Sequence, residues 1–88
     1  MNILMKKEEN FMGDNEKELV YSMARYTFAK SVKDRSEIVS YYDIAEHFKV
    51  SVEAICRAAR GICEALMTSS KVVDTEIYDN EGIQILLR

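Results

Sequence analysis

Two arginines, Arg57 and Arg60, lie three positions apart in the middle of the chain. A guanidinium group can form paired hydrogen bonds to a guanine edge or to a phosphate, so arginines on one helix face are typical of a DNA contact. Lys49 and Ser51 precede them where the same helix is expected to begin, and a helix N-terminus favours phosphate. Together with Glu53 on the same face, these residues predict a DNA-binding surface of Lys49, Ser51, Glu53, Arg57 and Arg60.

The stretch 41–60 has the pattern of a helix-turn-helix, in which a tight turn joins a short helix to a longer one. Ser40 is a suitable N-cap for the short helix, and Asp43 three residues later would complete a capping box. The turn is predicted at residues 49–51, with Ser51 as the N-cap of the longer helix. We therefore expect this stretch to hold the DNA-binding residues on a fixed pair of helices.

The two helices have distinct apolar and polar faces. The small side chain of Ala45 would allow them to cross at close range. On the longer helix, steps of about 100° place the following residues towards the core: Ile55, Ala59, Ile62 and Leu66. The opposite face would hold Glu53, Arg57, Arg60, Gly61 and Glu64. An alternative is a solvated face, because Glu53–Arg57 and Arg60–Glu64 are pairs four residues apart that could satisfy each other.

Residues 41–67 resemble the DNA-reading part of the effector domain in the family of sporulation-initiation response regulators. The similarity rests on Tyr41, Asp43-Ile44-Ala45, Phe48, Arg57-Ala58, Arg60 and Glu64. It covers less than a third of the 88 residues, and the continuation R-A-x-R-x-x-x-E after D-I-A-x-x-F makes it more specific. The resemblance implies a bacterial regulator whose longer helix reads a DNA half-site in the major groove.

The whole chain predicts an α+β fold, a winged helix-turn-helix with three helices, a short strand and a C-terminal β-hairpin. Asn15 and Glu18 form a second capping box, which predicts a first helix over residues 16–33. The other expected elements are a strand at 36–40, a third helix at 52–68 and hairpin strands at 72–78 and 83–87. Gly82 is expected to supply the loop conformation of the hairpin.

Length and composition predict one small domain. The chain has 88 residues, of which 48% are hydrophobic and 31% are charged, as in ordinary globular proteins. We expect residues 1–13 to form a flexible N-terminal tail and residues 14–88 to form the single winged helix-turn-helix domain. The sequence has no apolar run of membrane-spanning length and no signal-peptide pattern, which favours a cytoplasmic protein that does not contact the membrane.

Net charge is the main argument against DNA binding. The chain carries a net charge of −3, whereas DNA-binding proteins usually have a basic surface. Residues 19–71 nevertheless hold eight basic and six acidic residues, and residues 72–88 hold one basic and four acidic residues. DNA contact is therefore expected from the helices. The acidic wing favours a protein partner, and the alternative function is a winged-helix protein-interaction module, an adaptor or inhibitor of another regulator, that does not bind DNA.

The residue types that carry enzyme chemistry are sparse, so no catalytic activity, cofactor or metal is expected. The sequence has no glycine-rich phosphate loop and no nucleophile–histidine constellation. The single histidine, His47, is expected on the outer side of the second helix. Cys56 and Cys63 lie too far apart on one helix for a disulfide, and we expect them as reduced, partly buried residues.

The first helix is expected to form a homodimer. Its apolar positions exceed one narrow stripe: Leu19, Val20, Met23, Ala24, Tyr26, Phe28 and Val32. A helix with so wide an apolar surface usually contacts both its own core and a second subunit. The sequence thus predicts a small DNA-binding transcriptional regulator that reads a half-site of double-stranded DNA with its third helix as a homodimer.

Overall fold

The computed structural model describes the backbone of residues 2–88 and the side chains of residues 16–88. This part of the chain has three helices and three strands, in the order α1 (Asn2–Asp34), β1 (Ile38–Ser40), α2 (Tyr41–Phe48), α3 (Val52–Leu66), β2 (Val72–Tyr78) and β3 (Gly82–Leu87). The predicted α+β class is confirmed. The sequence predicted a flexible tail over residues 1–13 and a single domain over residues 14–88. That division stays a prediction.

Helix α1 is longer than the sequence pattern indicated. It begins at Asn2 rather than near residue 16, so the expected capping box of Asn15 and Glu18 does not begin the helix. The chain contains no proline to stop a helix, and residues 3–9 are mostly good helix formers. At the other end Arg35 adopts a left-handed conformation (φ 55°), and the Ser36 N–H donates to the Ser31 carbonyl oxygen at 3.1 Å. This reversal directs the chain into β1.

The sheet is antiparallel, with β3 between β1 and β2. Val39 of β1 pairs with Ile83, and Thr75 of β2 pairs with Ile85. The C-terminal hairpin is therefore confirmed, and the short strand before α2 extends it to a three-stranded sheet. A β-bulge between Val72 and Asp74 interrupts the alternation of β2, which leaves Val73 half exposed while Val72 is buried.

Gly82 does not adopt the loop conformation that the sequence suggested. The left-handed residue of the hairpin turn is Asn80 (φ 67°), and Gly82 lies in β3 without a positive φ. A Cβ atom on Gly82 would instead collide with the Val39 carbonyl group of β1. Glycine is required there because two backbones approach each other closely.

The core lies between the three helices and one face of the sheet. Its fully buried members are mostly isoleucines from different elements, namely Ile44, Ile55, Ile62, Ile83 and Ile85. The buried face of α3 consists of the four residues that the helical pattern predicted, Ile55, Ala59, Ile62 and Leu66. Full burial of each large aliphatic side chain contributes about 1.5–3 kcal/mol. This packing fixes which face of α3 remains exposed.

Candidate nucleic-acid interface

The turn between α2 and α3 is fixed by hydrogen bonds of its own backbone. Lys49 ends α2 in a left-handed conformation (φ 59°, ψ 43°). Its N–H donates to the Glu46 carbonyl oxygen, and the Val50 N–H donates to the Ala45 carbonyl oxygen at 3.1 Å. This pair of bonds is the Schellman arrangement that ends many helices. The predicted turn is confirmed, and it presents the Lys49 side chain to solvent.

Serine side chains cap both helices of this segment. The Asp43 N–H donates to Ser40 Oγ at 3.1 Å, and the Ala54 N–H donates to Ser51 Oγ at 3.1 Å. Both predicted N-caps are confirmed. The capping box at α2 is incomplete, because the Asp43 carboxylate forms no hydrogen bond with Ser40 among the described side chains. We call residues 40–66, with their two caps and one turn, the α2–α3 segment.

The outer face of α3 carries the predicted site residues. Glu53, Arg57, Arg60 and Glu64 are all exposed, opposite a buried row of aliphatic side chains. Among the side chains that the structure describes, the one ion pair joins Lys30 to Asp34 in α1 at 3.2 Å. The alternative pairs Glu53–Arg57 and Arg60–Glu64 are therefore not formed. Neither guanidinium group forms a hydrogen bond to another described side chain, so its donors are available to a partner.

The two arginines border different grooves on either side of the outer face. Arg57 borders a groove between α3 and α1 that also includes Leu19 and Val50. Arg60 borders a groove between α3 and β2 that also includes Thr75. The predicted site residues are all exposed: Lys49, Ser51, Glu53, Arg57 and Arg60. A ligand on this surface would meet two cations from α3 and one from the turn.

Gly61 was expected on the outer face, and that expectation is wrong. Gly61 is half-buried against α1, and a Cβ atom there would lie 3.3 Å from Val20 Cγ1. The glycine lets α1 and α3 approach closely on the side of α3 next to Arg57. Steps of about 100° per residue place Gly61 at the edge of the polar face of α3. Which edge of that face is buried depends on where α1 packs against α3.

The two cysteines of α3 differ in environment. Cys56 is exposed, so the expectation that it is partly buried is wrong. Cys63 is half-buried, as expected, and burial raises the pKa of its thiol. Cys56 therefore lies on the exposed surface of α3, whereas Cys63 belongs to the packing of α3 against the sheet.

His47 has an aromatic environment that the sequence did not indicate. It is exposed on α2, as expected, but its ring stacks on the Tyr26 ring of α1 with centroids 4.1 Å apart and an interplanar angle of 19°. Phe48 meets both rings edge-on. These three rings attach α2 to α1. No local pattern could have revealed this stack, because Tyr26 is distant in the sequence.

The solvent face of the sheet is acidic and internally hydrogen-bonded. The Tyr78 hydroxyl lies 3.5 Å from both Glu76 Oε2 and Gln84 Oε1, and Gln84 Nε2 donates to Glu37 Oε1 at 3.3 Å. The negative charge of Glu76 raises the pKa of Tyr78, and burial adds to that shift. The carboxylates of this face would repel a phosphate.

The described residues offer no group of three His, Cys, Asp or Glu side chains that could hold a metal ion. In the same part of the chain, no helix combines the length and the apolar character that a membrane span requires. Comparison of the chain with protein-family models, with curated proteins and with solved structures finds no match. The feature that bears on function is therefore the geometry of the α2–α3 segment.

Proposed function

We propose that the protein is a small winged helix-turn-helix transcriptional regulator that binds double-stranded DNA as a homodimer and reads a half-site with α3. The observation that carries this proposal is the pair Arg57 and Arg60, which are exposed and form no ion pair with the described side chains, on a helix whose opposite face is buried. Arginine presents five donors in a rigid fork, which matches guanine edges and phosphates. The glutamate four residues from each arginine does not pair with its guanidinium group, so the donors of that group remain free.

The start of α3 suits the DNA backbone. Ser51 caps the helix, and the first N–H groups of α3 carry the positive end of the helix dipole. Lys49 adds a full positive charge from the preceding turn. In helix-turn-helix proteins the N-terminal part of the second helix enters the major groove. Lys49 and Ser51 would then contact phosphate while Arg57 and Arg60 contact base edges or the opposite backbone.

The sheet is compatible with a winged fold, and its acidic charge limits what the wing can contact. The order of three helices with a strand before α2 and a hairpin after α3 is compatible with a winged helix. Its acidic solvent face makes the wing unsuitable for phosphate contact, so affinity would come from α3 and the turn. Few phosphate contacts give modest affinity that falls steeply with salt. A homodimer offsets this, because the second half-site binds at high effective concentration.

The proposal is tested by substitution of the two arginines. DNA is first selected from a random pool at two salt concentrations, and binding of the selected site is measured by fluorescence anisotropy. We expect Arg57→Ala and Arg60→Ala each to weaken binding by about 1–3 kcal/mol and the double variant to abolish specific binding. Thermal unfolding should be unchanged in all three, since both side chains are exposed.

Lys71→Ala is the matched control, because it removes one positive charge from an exposed position after the C-terminal end of α3, outside the helix that the homodimer is expected to use. It should leave the affinity for the selected site within about twofold, because surface charges far from the bound phosphates are screened. Enrichment of no sequence, or equal affinity in the arginine variants and the parent, would contradict the DNA proposal. It would favour the second candidate, a protein-interaction module that uses the acidic face of Glu37, Glu76 and Tyr78.

A further inference from the structure

Glu53 is the only acidic residue in the first three turns of α3. Its side chain is exposed in the first turn, two residues after the capping Ser51. Steps of about 100° per residue place it within about 40° of both Arg57 and Arg60 around the helix, so the three side chains share one narrow face. Among the described side chains, neither arginine forms an ion pair with it. The Glu53 carboxylate is therefore available to accept hydrogen bonds from a partner.

A carboxylate near the start of a DNA-reading helix restricts what that helix can contact. The proposed function places Lys49 and Ser51 against phosphate, and a phosphate beside Glu53 would be repelled. Most polar atoms on the base edges are acceptors, which a carboxylate cannot use. In the major groove the donors are the N4 amino group of cytosine and the N6 amino group of adenine. A direct DNA contact of Glu53 is therefore favourable only opposite one of these two bases.

We propose that Glu53 determines sequence specificity, and that its carboxylate accepts a hydrogen bond from the N4 amino group of a cytosine in the half-site. This assignment rests on the proposed function and names one base pair that the bound DNA contains. Adenine N6 lies between two acceptors, its own N7 and the O4 of the paired thymine, and both would repel a carboxylate. Cytosine N4 has an acceptor on one side only, the O6 of the paired guanine. Cytosine is therefore the better partner for Glu53.

The position of Arg57 extends the assignment to a second base pair. Arg57 lies four residues after Glu53, which is about 6 Å along the axis of α3. Successive base pairs are about 3.4 Å apart, so two side chains with this separation reach base pairs about two steps apart. Arginine pairs best with the O6 and N7 atoms of guanine. The half-site should therefore contain a cytosine and a guanine within about three consecutive base pairs.

Glu53 also has a structural role that must be separated from base reading. An acidic side chain in the first turn of a helix stabilises that helix through its dipole. This role changes the melting temperature but is independent of the DNA sequence. In base reading, by contrast, a carboxylate opposite the wrong base loses its water without gaining a donor, so binding to other sequences is weakened. The two roles are distinguished by the sequence preference of a variant that keeps the shape of Glu53.

The experiment selects DNA from a random pool with the full chain of the parent, Glu53→Gln and Glu64→Gln. We expect the parent to enrich cytosine at one position of the half-site. Glutamine has the same shape but also donates, and its amide pairs with the N6 and N7 atoms of adenine, so Glu53→Gln should enrich adenine at that position. Glu64→Gln is the matched control, because Glu64 is exposed on the same face of α3 about three turns further on. It should enrich the same bases as the parent.

Fluorescence anisotropy with the selected site measures the size of the effect. Replacement of the cytosine–guanine pair by adenine–thymine should weaken binding of the parent by roughly fivefold to a hundredfold. The same replacement should change binding of Glu53→Ala by less than about twofold, because no carboxylate remains to distinguish the bases.

The outcomes separate this assignment from the proposed function. A cytosine preference that persists in Glu53→Gln and Glu53→Ala, or an equal change of preference in Glu64→Gln, would overturn the assignment. A lower melting temperature with unchanged base preference would leave Glu53 only its structural role and would overturn it as well. In these cases a selected site that Arg57→Ala binds weakly still supports the proposed function. If the parent enriches no sequence, the proposed function fails and the assignment fails with it.

Discussion

In the α2–α3 segment, the hydrogen bonds that begin and end the helices join residues only a few positions apart in the sequence. Ser51 caps α3 through Ala54, and Lys49 closes α2 through Glu46. In the sheet, the closest approaches join residues from distant parts of the chain. Gly82 lies against Val39, and the Ile85 N–H donates to the Glu37 carbonyl oxygen at 2.7 Å.

The two regions also differ in charge and hydrogen bonding. The outer face of α3 presents arginines without ion pairs, whereas the solvent face of the sheet joins Glu37, Gln84 and Tyr78 in a hydrogen-bonded row. The sheet therefore stabilises the fold, and the α2–α3 segment supplies free hydrogen-bond donors. Substitutions in the sheet should therefore change stability most, and substitutions in the α2–α3 segment should separate stability from binding.

Gly82→Ala should have the largest effect. The new Cβ would collide with backbone atoms of Val39, which cannot rotate away as a side chain could. We expect a loss of about 3 kcal/mol or more, a large part of the stability of a small domain. The melting temperature measured by circular dichroism should fall by roughly 12 °C or more.

Gly61→Ala is the matched control in the α2–α3 segment. Its Cβ would meet the flexible side chain of Val20 at 3.3 Å, and alanine gains about 1 kcal/mol of helix propensity over glycine. The melting temperature should therefore change by only a few degrees. Similar losses in both glycine variants would remove the distinction between the sheet and the α2–α3 segment.

The difference between contacts of neighbouring residues and contacts of distant residues also explains which features could be predicted from the sequence. The caps at Ser40 and Ser51 and the buried face of α3 follow from patterns within a few residues, and all are as predicted. The role of Gly82 depends on a strand that precedes it by half the chain. The stack of His47 on Tyr26 has the same character. Side-chain identity alone does not reveal such contacts.

The candidate site divides in the same way. Exposure of Lys49, Arg57 and Arg60 could be predicted, because each lies opposite an apolar face or in a turn. The burial of Gly61 could not, because it depends on where α1 crosses α3, and the exposure of Cys56 was not predicted either. Free guanidinium groups were likewise one of two alternatives, since helical spacing permits ion pairs without requiring them.

Ala45→Leu should have an intermediate effect. Ala45 is 5% exposed in the core of the α2–α3 segment, and its carbonyl oxygen accepts the Val50 N–H that closes the turn. A leucine would overpack this site at a cost of about 1–3 kcal/mol. Ala29→Leu on the exposed surface of α1 is the matched control. Urea unfolding of both variants gives the comparison, and equal midpoints would show that Ala45 has spare volume beside it.

Ser51→Asp should have the smallest effect on stability and a distinct effect on binding. Aspartate is as good an N-cap as serine, so the bond to the Ala54 N–H can be kept and the melting temperature should stay close to that of the parent. Ser51→Ala removes the cap and should cost about 1 kcal/mol. If the start of α3 meets phosphate, the added negative charge should instead weaken DNA binding by about tenfold at low salt.

Ser70→Asp is the matched control, because it adds the same charge to an exposed position after α3. It should leave both stability and DNA affinity unchanged. Both the melting temperature and the affinity for the selected site are measured for each variant. Parent-like affinity in Ser51→Asp would place the DNA backbone away from the start of α3. Loss of affinity in Ser70→Asp as well would show that net charge, rather than position at the helix start, controls binding.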